Sequence, residues 1–348
     1  MFLKIKDRVE EKLASYIRSI DKLYSLRQIS PLISENIKEF ISRKGKRIRP
    51  ILFVIGYLGF IKKEMPGLYR SALALELLHD FLLIHDDIID KSDTRRGKPS
   101  IHAMFNKHLR GHKNIKFSGQ DLAIVIGDIV YAMAIDTFLS IKEDPKRKEK
   151  ALRMFINATI HTGSGEFIEL LAGLKNMDKI TKEEIYRIYD FKTAYYTFAT
   201  PLAMGAQLAG ANKKQVDLIF KYGMHSGRAF QIKDDILGIF GKEEEIGKST
   251  LTDLQEAKKT ILIWYAYHHS SKIEKSTIRK ILTSEFVNKS DLLKIREIIT
   301  TSGALQYSKK EITNLLEKTK LLSLSSQMHH QHKIALNNYF QELLQLPS

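Results

Sequence analysis

Apolar residues recur at i, i+3, i+4 and i+7 through six long stretches of the chain, 68–90, 122–141, 148–174, 182–198, 214–240 and 291–321. That spacing predicts amphipathic helices, and no alternation bounded by hairpin turns argues for strands. Within the first stretch, 72–89 is apolar nearly all round apart from its acids and histidines, so it belongs at the centre of a bundle. Seven prolines and nineteen glycines in 348 residues leave these segments long, and no Pro-, Gly- or Ser-rich linker divides them. The pattern predicts an all-α protein, a single large helical bundle over residues 1–348.

Polar segments at 91–99, 106–119 and 241–252 read as loops. The opening seven residues are amphipathic and charged, without the unbroken apolar core of a signal peptide. The greasiest stretch, 122–135, is interrupted by Gly127 and Asp128 and falls short of the ~20 residues that cross a bilayer. A cytoplasmic protein without an integral membrane segment is expected.

Composition narrows the chemistry. Hydrophobic residues make up 43% and charged residues 28%, ample for a core and too apolar for disorder. The absence of cysteine excludes disulfides, thiolate metal sites and a cysteine nucleophile. A net charge of +16 suits a nucleic-acid binder, a membrane-surface protein or a site for polyanionic substrates. The charge is dispersed and no nucleic-acid motif accompanies it, so nucleic acid is not expected as a partner.

Two acidic clusters stand inside otherwise apolar helices. In Leu82-Leu83-Ile84-His85-Asp86-Asp87-Ile88-Ile89-Asp90, Asp86 and Asp90 are i and i+4 and share a face. Like charges there repel, and burial raises the cost, so a cation or proton must offset them. Phe230-Gln231-Ile232-Lys233-Asp234-Asp235-Ile236-Leu237-Gly238 repeats the device, and the pair implies acids facing a shared central cavity. Calcium wants six to eight oxygens, usually from a dedicated loop, whereas Mg²⁺ takes one or two carboxylates plus substrate phosphates. Sparse carboxylates on two helices therefore point to Mg²⁺ and a phosphorylated substrate. His329, His330 and His332 read as a solvated polar stretch. Basic residues complement the acids: Arg95-Arg96-Gly97-Lys98-Pro99, Gly45-Lys46-Arg47-Ile48-Arg49-Pro50, Lys192-Thr193, and Lys248 and Lys258 flanking Asp253. Guanidiniums grip phosphates bidentately, so the set suits cations surrounding a diphosphate.

The ordered combination of GKRIRP, DDIID followed by RRGKP, KT, FQIKDD and a downstream GK…DLQEAKKT resembles the polyprenyl synthetase family, the trans-isoprenyl diphosphate synthases. The resemblance spans roughly residues 40 to 260. It implies an all-α bundle around a deep cavity, a homodimer, and Mg²⁺, about two to three ions with substrate bound. It implies substrates too: isopentenyl diphosphate and an allylic diphosphate (dimethylallyl, geranyl or farnesyl). By this resemblance Asp86, Asp90 and Asp234 hold metal, with Asp87 and Asp235 as supporting acids. Lys46, Arg49, His79 and Arg96 bind isopentenyl diphosphate. Arg95, Lys192, Thr193, Gln231, Lys248 and Lys258 meet the allylic diphosphate. The chain departs from the family pattern at Gly238, where a third acid is usual, at Gly165-Glu166-Phe167-Ile168-Glu169, which replaces GQxxD, and at Ala257, where Gly is frequent.

An aromatic five residues before the first acid floors the cavity in this family. Here it is Phe81, although helical geometry sets it roughly 140° around from Asp86. With Leu82 and an uninterrupted first motif, the chain resembles short-chain enzymes of archaeal type that make the C20 geranylgeranyl diphosphate. The C15 farnesyl product is the near alternative, and no second obstacle of comparable size is evident in the sequence. A terpene cyclase shares the first acidic cluster but does not need the Lys46 and Arg49 pocket. A non-catalytic subunit of a heteromeric synthase tends to lose an acidic cluster, and both survive here.

Overall fold

The computed structural model describes residues 1–241 and 250–345, the side chain of Thr252 excepted. Its Cα framework divides into two compact units, Met1–Leu152 with Gln207–Gly210, and Arg153–Ala206 with the described part of 211–348.

In the first unit, α1 (Phe2–Tyr24), α2 (Leu26–Ile29), α3 (Pro31–Ile41) and α4 (Ile48–Leu58) precede the long α5 (Leu68–Ile89). A two-residue hairpin, β1 (Thr94–Arg95) against β2 (Lys98–Pro99), leads to α6 (Ile101–Leu109) and α7 (Gly119–Phe138). Helix α1 buries Ile5, Val9, Leu13, Tyr16 and Ile20, one stripe at helical spacing. Helix α5 is different: Leu68, Tyr69 and every residue from Ser71 to Leu78 are buried, so it is enclosed on all sides over its first three turns. The all-round apolar sequence of 72–89 suggested such enclosure, which holds as far as Leu78, whereas Phe81, Leu82, Leu83 and Ile88 are partly exposed and Ile89 is exposed. Gly67 caps the start of α5 with φ 91°, and a Cβ there would fall 2.4 Å from the Ser140 carbonyl oxygen, so the position admits no side chain. Helix α7 opens on a Ser118/Asp121 capping box.

Helix α8 (Pro145–Gly173) runs from the first unit into the second. The second unit continues with a 3₁₀ turn (Met177–Lys179), α9 (Lys182–Tyr189), a π-helical stretch (Asp190–Ala199), α10 (Thr200–Leu208) and α11 (Lys213–Phe240). It ends with α12 (Thr252–Gln255), α13 (Ile261–His268), α14 (Lys272–Leu282), α15 (Lys289–Thr301), α16 (Ala304–Ser325) and α17 (His330–Leu344). Among the described residues no helix is long and apolar enough to cross a membrane.

Four expectations are corrected. The basic segment 91–99 contains a short hairpin, because Arg96 (φ 54°) and Gly97 (φ 73°) both take the left-handed backbone that a tight two-residue turn requires. The expected helix 182–198 changes to π geometry from Asp190 to Ala199, and at the end of that stretch the Thr200 N–H reaches the Tyr195 carbonyl five residues back. The expected helix 291–321 breaks at Gly303 (φ 77°), which caps the start of α16. His332 is buried and its pKa is lowered by that burial, so the histidine stretch is not uniformly solvated.

Candidate active site

The end of α5 emerges from the core, and the acids sit where it does. Asp86 and Asp90 are half-buried on its last turn, while Asp87 is only 1% exposed. Burial raises the Asp87 carboxyl to about 6; Arg95 opposes that rise, and the nearby Asp86 and Asp90 charges add to it. Arg95 clamps Asp87 Oδ1 through Nε at 2.7 Å and Nη2 at 2.5 Å. The hairpin that follows the acidic cluster thus doubles back to neutralise its buried member.

The same hairpin sends Arg96 the other way, toward α5 about two and three turns before Asp87. His79 stands here among Arg49, Arg96, Arg95 and Arg47. Burial first, and then those guanidiniums, push its pKa well below the usual imidazole value. The imidazole is therefore neutral, a donor or acceptor rather than a second cation. Lys46 is exposed in the turn before α4, and Arg49 is half-buried in the first turn of that helix. The four residues expected to bind isopentenyl diphosphate thus belong to one unit, and three of them surround one another.

Phe81 packs toward α7. Its ring lies 4.9 Å from that of Tyr131 and 4.7 Å from the His85 imidazole. Gly127 leaves room for the His85 ring, since a Cβ there would meet His85 Nε2 at 2.5 Å. Phe81 is consequently one of two large aromatics packed together at a tilt, and Tyr131 is a second bulky ring beside it that the sequence reading did not single out. The sequence concealed the pair because the two residues lie 50 positions apart on different helices.

In the second unit, the π stretch holds Lys192 and Thr193. Local π geometry is frequent at functional sites. Glu166 lies 2.6 Å from Lys192 Nζ and Glu169 is its second partner, so the acids that replace the family's GQxxD grip the lysine. Gly165 allows the approach: a Cβ there would lie 2.7 Å from the Lys192 backbone nitrogen. Thr193 donates to Gln231 Oε1 at 2.6 Å, and Gln231 donates to Asp235 Oδ1 at 3.0 Å. Tyr189 donates to the other Asp235 oxygen and accepts from the Ile261 N–H at 2.8 Å. Burial holds the Asp235 carboxyl well above its usual range, against the lowering effect of Tyr189 and Gln231. Asp234, beside it on α11, is half-buried.

The structure explains Gly238. A Cβ at this position would fall 2.0 Å from Asp253 Oδ2, so the carboxylate of α12 occupies the space that a third acid of the second cluster would need. Lys258 follows, 3.4 Å from Asp253 and 2.6 Å from Glu256. Burial disfavours its charge, but Asp253, Glu256 and Glu169 outweigh that and raise its pKa. Lys248 lies outside the described residues. Sequence reasoning did not single out Glu76, Asp80, Tyr131 or Tyr189; a buried acid or phenol inside an apolar run was the only available signal.

Among the described residues no three His, Cys, Asp or Glu side chains converge as a metal cage. What α5 offers is two part-buried carboxylates one turn apart beside a buried third, an all-oxygen set. This fits Mg²⁺, which takes one or two carboxylates and completes its shell with water and phosphate.

The chain matches the polyprenyl synthetase family model over residues 30–299. It is 30% identical to a short chain isoprenyl diphosphate synthase of Methanocaldococcus jannaschii, over 88% of this chain and 84% of that protein. It is 32% identical to a geranylgeranyl diphosphate synthase of Saccharolobus solfataricus, over 78% and 80%. Its fold is similar to a crystal structure of geranylgeranyl pyrophosphate synthase from Corynebacterium glutamicum, complexed with isoprenyl diphosphate and magnesium. That likeness has a TM-score of 0.89 at 26% identity and covers 99% of both chains. The chain belongs to the polyprenyl synthetase family.

Proposed function

We propose that this protein is a Mg²⁺-dependent prenyl transferase that condenses isopentenyl diphosphate with an allylic diphosphate and makes geranylgeranyl diphosphate. The observation that carries the reading is the end of α5: paired acids one turn apart, followed at once by a hairpin presenting two arginines. In this reading the whole chain is one catalytic domain, and it works in the cytoplasm, since diphosphate substrates are held in water by their charge.

Asp86, Asp90 and Asp234 are the metal ligands, and Asp87 and Asp235 support them. When bound, Mg²⁺ stabilises the charge that develops on the leaving diphosphate. Arg95, Lys192, Thr193, Gln231, Lys248 and Lys258 grip that diphosphate and lower the barrier to C–O cleavage. Lys46, Arg49, His79 and Arg96 hold isopentenyl diphosphate so that its double bond meets the allylic cation. The new C–C bond forms as the C–O bond electrons leave with the diphosphate, which then takes up the proton lost from the product. Apolar walls keep water from the cation, and Phe81, packed against Tyr131, limits the tail.

A farnesyl product is the second reading, favoured by the same pair, since two packed rings shorten a cavity more than one. Incubation with labelled isopentenyl diphosphate and each allylic primer, with and without Mg²⁺, tests all of this. A C20 product that disappears on chelation is expected; no chain elongation with any primer overturns the reading.

A homodimer belongs to the same reading. Helix α8 exposes Ile160 (58%), Phe167 (63%) and Leu171 (47%) at helical spacing, an apolar stripe suited to a second copy. Sedimentation at micromolar concentration should show a dimer, and a monomer would remove this part.

A further inference from the structure

Two basic turns of the first unit carry an arginine in the left-handed region: Arg47 (φ 54°) before α4 and Arg96 (φ 54°) in the hairpin after α5. A side chain in that conformation is strained and persists where its surroundings hold it. Both arginines turn to Glu76 of α5, and Arg96 reaches Asp80 as well. Glu76 accepts from Arg47 Nη1 at 2.6 Å and lies 3.6 Å from Arg96 Nη2. Asp80, one turn further along, lies 3.5 Å from Arg96 Nη1.

The two acids differ in what they have left to do. Glu76 is committed to Arg47, which also bonds Glu10 and the Arg43 carbonyl. Asp80 is 0% exposed, and neither of its oxygens accepts a hydrogen bond from a described residue. A carboxylate so buried is costly without a charge partner, and the guanidinium of Arg96 faces it at 3.5 Å. Arg96 in turn is held by charge at 3.5 and 3.6 Å, and by the Arg43 carbonyl at 3.4 Å, not by a short clamp. Arg95 makes the contrast, bound to Asp87 at 2.5 and 2.7 Å. A guanidinium fixed in direction but not saturated by short hydrogen bonds can turn its donors to an incoming phosphate.

We propose that Asp80 is a positioning residue for isopentenyl diphosphate, holding the left-handed Arg96 so that its guanidinium is aimed before substrate arrives. The proposal rests on reading Arg96 as a contact to that diphosphate. Prepaid orientation is worth affinity, because the substrate need not order the side chain itself.

The test is steady-state kinetics of Asp80→Asn, Arg96→Ala and the double variant, with thermal unfolding alongside and Asp80→Thr as a second replacement. Asp80→Asn should raise the KM for isopentenyl diphosphate by roughly 10-fold, with kcat and the KM for the allylic primer changed less than about twofold. In the Arg96→Ala background it should change the KM no further. An unchanged KM in folded Asp80→Asn overturns the proposal. So does a lower one, the result expected if Asp80 merely repels an anionic substrate, or an effect that survives without Arg96. If neither replacement at position 80 folds, Asp80 is structural and the proposal is lost. If Arg96→Ala leaves the KM unchanged, the reading of Arg96 fails along with it; a raised KM in Arg96→Ala beside a normal Asp80→Asn sinks the proposal alone.

Discussion

The two acidic clusters, alike as sequence, are supported by different physics. On α5, the buried acid Asp87 is met by a cation, Arg95, brought back by the hairpin that follows it. On α11, Asp235 is met by neutral donors, the Tyr189 hydroxyl and the Gln231 amide. Breaking an ion pair strands a charge, whereas breaking a neutral hydrogen bond strands only a dipole. The neighbourhood follows suit. Two-acid repetition on α5 runs to Asp90, while on α11 the third position is Gly238 beneath the Asp253 carboxylate.

The largest effect expected is on turnover. Asp86→Ala or Asp90→Ala should lower it by on the order of 10³-fold or more with the fold intact. Asp234→Ala should lower it less, since Asp253 brings another carboxylate to the same region of the second unit. Incorporation assays at saturating Mg²⁺ measure both. Near-normal turnover in the α5 variants would remove the metal assignment, and an equal loss in Asp234→Ala would erase the contrast.

Substrate constants come next. Lys46→Ala and Arg49→Ala should raise the KM for isopentenyl diphosphate about 10-fold while sparing the allylic primer. Lys192→Ala should do the opposite. If each variant disturbed both substrates alike, the division into two diphosphate pockets would fail.

Stability separates the supporting acids more finely. Asp87→Asn leaves the Arg95 guanidinium without its countercharge and should cost about 2 kcal/mol, a buried-pair loss discounted for the partial exposure of Arg95. Asp235→Asn should cost about 1 kcal/mol or less, because its partners are neutral donors and the amide oxygen can keep a hydrogen bond. Urea unfolding of the two variants gives the order, and equal costs would mean that both acids are held in the same way.

The smallest change in rate, though not in product, is expected at the aromatic pair. Phe81→Ala should lengthen the product beyond C20 at a stability cost of about 3 kcal/mol. Tyr131→Ala should lengthen it by itself to a lesser degree, and the double variant most of all. An unchanged profile in folded Phe81→Ala would return both rings to core packing.

Much of this was legible in one dimension. Helical periodicity placed α5, α7, α8 and α11 within a few residues, because a buried stripe repeats with the helix and nothing distant is needed to see it. The acids of both clusters were visible for a related reason: a charge in an apolar run contradicts its surroundings wherever the helix lies. Motif order supplied the basic residues, which composition alone could not separate from a solvated surface at +16 net charge.

Tertiary structure decided which groups were spent on one another. Arg95 and Arg96 are neighbours with equal charge, yet opposite directions across a left-handed turn send one to Asp87 and the other to Asp80 and Glu76. Tyr131 meets Phe81 across two helices, the His85 ring fits against Gly127, and Asp253 takes the place above Gly238 although fourteen intervening residues separate them. Each of these depends on a distance of a few ångströms between residues far apart in the chain. A sequence specifies such distances only through the packing of the whole fold, so no local pattern displays them.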